Sequence, residues 1–132
     1  TGLAEMRANP DYEKATFVGL YHGEVKSAKT DVGYVFENGL DPEYFNDVDF
    51  ALLGHVHKRQ CINSNGVQLV YSGSLIQQDH GENVSGHGFV VWDVENRTYE
   101  CHDIPNAEHG FYTLTINGES DIDEDKEEFI NL

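Results

Sequence analysis

The chain has 132 residues, 24 acidic against 8 basic side chains, 39% apolar residues and two cysteines. That length suits one domain and is enough to bury a working core. A net charge of −16 repels nucleic acid and phosphate-rich membranes unless a metal or a partner supplies positive field. No apolar run approaches the roughly 20 residues of a membrane span, and nothing resembles a signal peptide.

Residues 3–14 carry a weak helical pattern that Asn9-Pro10 interrupts. Residues 16–21 are a short β-prone run ending at His22, and 23–39 read as polar loop. Asp41 followed by Pro42 is a cap and first-turn pair for a short helix through Phe45. Residues 48–53 form a buried-strand candidate that ends in Gly54-His55. Two runs, 58–62 and 67–71, flank Asn65-Gly66, a hairpin signal. Residues 89–94 and 98–104 flank Glu95-Asn96-Arg97 as a second hairpin, and 111–116 alternate as a half-buried strand does. From 119 to 128 there are seven acidic residues and one lysine, the composition of a solvated tail or an exposed helix start. The reading is a mixed α/β chain with more strand than helix: a body over 1–117, then an acidic tail or the start of a next segment over 118–132. Cys61 and Cys101, forty positions apart, lack zinc-type spacing and read as reduced thiols of an intracellular protein. Phe17, Phe50, Phe89, Trp92 and Tyr112 fall on strand positions and read as core.

The chemistry lies in the histidines. His22 ends one strand and Gly54-His55-Val56-His57 ends another, and strand termini are where α/β folds place their sites. On an extended segment, residues two apart point to the same side, about 6.5–7 Å from each other. Neutral imidazole suits zinc, manganese or iron, so His55 and His57 can each reach one ion of a pair held about 3.5–4 Å apart. Taken alone, such an H-x-H also fits ordinary surface or hydrogen-bonded histidines. Asp49 reads as a strand-edge cap, Ser72 and Ser74 as turn chemistry, and His87, His102 and His109 as structural.

Five segments in fixed order sharpen this reading: Leu20-Tyr21-His22-Gly23, 51–59 with its Gly54-His55-Val56-His57-Lys58-Arg59, Val70-Tyr71-Ser72-Gly73-Ser74-Leu75, Asp79-His80-Gly81-Glu82, and 88–94. Together, over about residues 16–116, they resemble the later motifs of calcineurin-like metallophosphoesterases. Within that superfamily they look like the SbcD-type nucleases of double-strand-break repair. Gln77-Gln78-Asp79 departs from the Arg-containing version common in cellular members and is closer to a phage-like branch.

The resemblance implies part of an α/β/β/α sandwich, strand-rich in this stretch. It implies His22 and His55 as ligands of one metal and His57 of the other, all three catalytic. Manganese is the expected pair, with zinc or magnesium as substitutes. It implies Lys58 and Arg59 as contacts to a nucleic-acid backbone, and Ser74, Asp79, His80 and Glu82 as residues of the site rim. Its expected partners are DNA, an SbcC/Rad-type ATPase subunit and a second copy of the protein, in the cytoplasm of a cell or of a phage's host. The superfamily's early motifs, D-x-H, G-D-x-x-D and G-N-H-D, do not precede His22. Three neutral imidazoles cannot offset two divalent cations in a partly buried site. The chain therefore reads as the C-terminal portion of a catalytic domain, holding at most one metal weakly and inactive alone, with an uncovered sheet face or edge. Two other readings stay open: another metallophosphoesterase, such as a phosphatase or small phosphodiesterase, or a non-catalytic binding module whose histidines are relics.

Overall fold

The computed structural model describes residues 2–105 and 109–113. A short helix, α1 (Gly2–Ala8), gives way at Asn9 to a 3-10 turn, Pro10–Tyr12, because the Asn9 side chain accepts from Asp11 N and Pro10 cannot continue the preceding ladder. β1 (Val18–His22) follows. The next stretch is loop, touching itself through isolated bridges Val25 to Leu40 and Lys29 to Val35. Asp41 caps the 3-10 turn Pro42–Phe45, its side chain accepting from Glu43 N. The Lys26 ammonium donates to the same carboxyl and holds it below the usual carboxylate range. β2 (Phe50–Gly54), β3 (Gln60–Ser64) and β4 (Val67–Tyr71) complete a sheet ordered β1-β2-β4-β3. β1, β2 and β4 are parallel, and β3 is antiparallel to β4. Asn65 and Gly66, at φ +52° and +91°, make the left-handed turn that a two-residue hairpin requires. β5 (Gly88–Asp93) and β6 (Thr98–Asp103) form a separate two-stranded hairpin.

The described residues are thus mixed α/β and strand-rich, with helix confined to short pieces. Among them, no helix is long and apolar enough to cross a membrane. The strand expected over 111–116 does not form in its described part, 111–113, and 114–116 lie outside the described residues, as does the acidic stretch 118–132. Lys58 and Arg59 precede β3 rather than opening it.

One face of the four-stranded sheet carries the core. Ala51, Leu53, Leu69 and Tyr71 pack there against Val25 and Ala28 of the loop and Phe45 of the second 3-10 turn. Tyr71 is fully buried, and its hydroxyl accepts from Val25 N at 2.9 Å and donates to Gly23 O at 2.8 Å. That single group pins the start of the 23–40 loop onto β4, and burial pushes the phenol up to about 12. Gln60 pins the loop again, donating to Lys29 O and accepting from Lys29 N. On the opposite face the β5–β6 hairpin stacks Trp92 on Phe50, ring centroids 4.2 Å apart. Phe89 and Tyr112, expected in the core, are instead well exposed. Phe89 sits on the outward face of the hairpin, stacked on His102. Asp49, just before β2, accepts from Phe17 N at 2.7 Å and pairs with Arg7 and Arg97, each at 3.1 Å. Its buried carboxylate ties the N-terminal segment and the second hairpin to the sheet.

Candidate functional site

His22 and Gly54 are the last residues of neighbouring parallel strands and are register partners. Gly23 N donates to Gly54 O, carrying the ladder one step further. A Cβ at position 54 would lie 2.8 Å from His22 Nδ1, so the glycine leaves room for that ring. His55 follows at φ +95°, a conformation that costs a non-glycine residue on the order of 1–3 kcal/mol and persists only where its surroundings hold it. The strand geometry expected for His55 and His57 is therefore corrected. β2 stops at Gly54, and a turn at His55, not extended alternation, directs the two side chains.

The turn brings the His55 ring to 5.6 Å from that of His22, centroid to centroid. Glu24, two residues beyond His22, places Oε1 3.9 Å from His55 Nε2. His55 and His57 both line a cavity of about 260 Å³, whose other walls include Asp31, Val32, Phe36, Lys58, Asp79 and Glu82.

His57 has a different neighbour. Its Nδ1 lies 2.5 Å from Oε1 of Glu82, whose side chain is only 8% exposed. Glu82 Oε2 accepts from Gln78 N at 2.9 Å and from the Ser74 hydroxyl at 3.4 Å. Ser74 Oγ is also 2.9 Å from Nδ1 of the buried His87, whose Nε2 is 2.5 Å from Asn83 O. The backbone beneath is closed by Ser74 N donating to His57 O. At Gly73, φ +76°, a Cβ would come within 2.7 Å of that same carbonyl. The buried Gln77 side chain ties the loop together, donating to Glu82 O and Phe111 O and accepting from Phe111 N.

Of the expected rim residues, Ser74 and Glu82 thus reach the His57 side. Asp79 lines the cavity but spends Oδ1 on Gly81 N, closing a tight turn. His80 is exposed and packs edge-on to Phe111. Lys58 lies 3.6 Å from Asp31, whose side chain is 8% exposed. Arg59 is engaged by Asp103 and by the His102 carbonyl. Both basic residues line a second cavity of about 230 Å³ with His57, Ser85 and His87. His109 is exposed, and His102 lies flat on Phe89.

Among the described residues, no group of three or more His, Cys, Asp or Glu side chains closes on one point as metal ligands do. What is assembled is a His22–His55 pair beside Glu24 and a separate His57–Glu82 pair, with His55, His57 and Glu82 lining one cavity. Glu24 and Asp31 were not singled out from the sequence. The first sits one residue past the L-Y-H-G segment, and the second gives no local signal.

No protein-family model and no solved structure matches the chain. It is 41% identical over 100 residues, 75% of its length, to an uncharacterized protein of Acanthamoeba polyphaga mimivirus, of which it covers 7%. It is 29% identical over 101 residues, 71% of its length, to the SbcD subunit of nuclease SbcCD from Staphylococcus epidermidis, covering 26% of that protein. Against the SbcD protein of Staphylococcus saprophyticus it is 33% identical over 66 residues, half of this chain and 17% of the relative. The chain therefore spans about a quarter or less of the length of the curated relatives it matches, and for half or more of its own residues it is similar to the SbcD component of nuclease SbcCD.

Proposed function

We propose that this chain is a segment of a metal-dependent phosphodiesterase acting on DNA, of the SbcD type, within a larger metallophosphoesterase sandwich. The observation that carries the reading is the His22–His55 pair at the ends of β1 and β2, with His55 and His57 lining one cavity, in a chain similar to a nuclease component. In this reading His22 and His55 serve one ion and His57 the other, with manganese as the metal and zinc or magnesium as substitutes. The donor set suits borderline divalent ions but is incomplete. Imidazoles bring no charge, and Glu82, the buried carboxylate nearby, already serves His57, Gln78 and Ser74. The segment alone would hold one ion weakly. The remaining ligands would come from the further length that its relatives possess.

Such an ion pair supplies charge neutralisation at the phosphodiester and an activated water. The chain's own part is to hold its ligands in place and to bring positive charge to the phosphates. Lys58 is suited to the second task because it borders both cavities next to His57, and Arg59 lines the second. An SbcC/Rad-type ATPase partner, a homodimer and a cytoplasmic setting belong to the same proposal.

The test is cleavage of duplex DNA with manganese by a longer protein carrying this segment, with a phosphomonoester assayed in parallel. The nuclease reading predicts DNA cleavage, and His57→Ala abolishes it with the fold retained by circular dichroism. Cleavage of the monoester alone would point to a phosphatase instead. Full DNA cleavage by the variant would remove the role given to His57.

A further inference from the structure

We propose that Glu82 is a positioning residue that decides which nitrogen of His57 carries the proton and so which one is open to a ligand. The argument is one of donors and acceptors. Oε2 of Glu82 faces a backbone N–H, that of Gln78, which can only donate, and the Ser74 hydroxyl approaches the same oxygen. Hydrogen bonds donated to a carboxyl group favour its charged form, which is acceptor-only. In that form its other oxygen, 2.5 Å from His57 Nδ1, accepts as well, so the imidazole places its hydrogen on Nδ1. Nε2 then keeps its lone pair. The His57 ring is half exposed while Glu82 is almost wholly enclosed, so the fixed partner orients the free one. Burial also removes competing water from the carboxylate, which strengthens a charge-assisted bond. Carboxylates commonly orient ligating histidines in this way. Here the residue comes from the 77–82 loop, 25 positions from the histidine it aims, and Gln77 and Ser74 hold that loop in place. The tautomer itself needs neither metal nor DNA; only its use by a cation rests on the function proposed above.

The substitution that separates charge from shape is Glu82→Gln. The amide oxygen is held by the Gln78 N–H, so the amide NH2 must turn toward His57. An NH2 group donates, which forces Nδ1 to accept and moves the ring hydrogen to Nε2. The measurement is the imidazole nitrogen-15 spectrum of the 132-residue chain near pH 8, where an ordinary histidine is neutral. The native chain should show His57 protonated on Nδ1 and the variant should show it on Nε2. In the longer protein, which would supply the other ligands of the His57 ion, titration with manganese or zinc alone should give about 10- to 100-fold weaker binding in the variant, the range for lost orienting partners. A native His57 protonated on Nε2 overturns the proposal, and that measurement holds even if the variant does not fold. An unchanged tautomer in a folded variant overturns it equally. Absence of DNA cleavage by the longer protein would sink the nuclease reading while leaving the tautomer result standing.

Discussion

The two faces of the four-stranded sheet are built from the same strands and meet very different surroundings. On one, Ala51, Leu69 and Tyr71 are fully enclosed, because the 23–40 loop and the Pro42–Phe45 turn lie over them. On the other, the second hairpin covers Phe50 through Trp92. Leu20 and Leu52, register partners on β1 and β2, are 78% and 37% exposed. β1 is also an edge of this sheet among the described residues. An apolar side chain is buried only where some segment comes to lie on it, and here both faces carry large apolar side chains. The comparison separates residues that stabilise this chain from residues whose apolar surface contributes little to it.

The largest expected effect lies on the enclosed face. Leu69→Ala should cost about 2–5 kcal/mol in a urea denaturation, since a fully buried leucine leaves a cavity as well as losing transfer energy. Tyr71→Phe should follow at about 1–3 kcal/mol, because it strands Val25 N without its acceptor. The same phenol adds a pH dependence. Its folded-state value is raised from 10.0 to about 12, so the unfolded chain loses the proton first. Stability should therefore be unaffected below pH 10 and fall between pH 10 and 12; in Tyr71→Phe this component of the alkaline slope should vanish. The smallest effect belongs to the open face, where Leu20→Ser should stay within about 0.5 kcal/mol. A loss of about 2 kcal/mol or more there would show that the face is covered, and the contrast would fail.

The histidine site divides along similar lines. Its ingredients were legible: His22 ends β1, and His55 and His57 follow Gly54 at the end of β2. What directs their side chains was not, because alternation holds only while a strand continues, and this one stops at Gly54. Glu82 was legible only as a polar turn residue on the rim. That it is enclosed and aimed at His57 depends on a loop closed by Gln77 and Ser74 across distances that local sequence does not encode. The charges of Lys58 and Arg59 were plain, whereas their pairing with Asp31 and Asp103 was not. For Phe89 the strand was read correctly and the face was not: Phe89 and Trp92, three apart, lie on opposite faces of β5, and only Trp92 meets the sheet.

By itself, the sequence determined the turns, caps and strand cores of this protein, because these arise from φ preference, side-chain-to-backbone bonds and hydrophobic runs within a few residues. Asp41-Pro42 and Asn65-Gly66 are of that kind. Tertiary structure alone decided which face of each strand is enclosed, which carboxylate meets which cation, and which acceptor stands behind His57. Those outcomes depend on contacts between segments tens of residues apart, where burial and desolvation, rather than local propensity, set the balance.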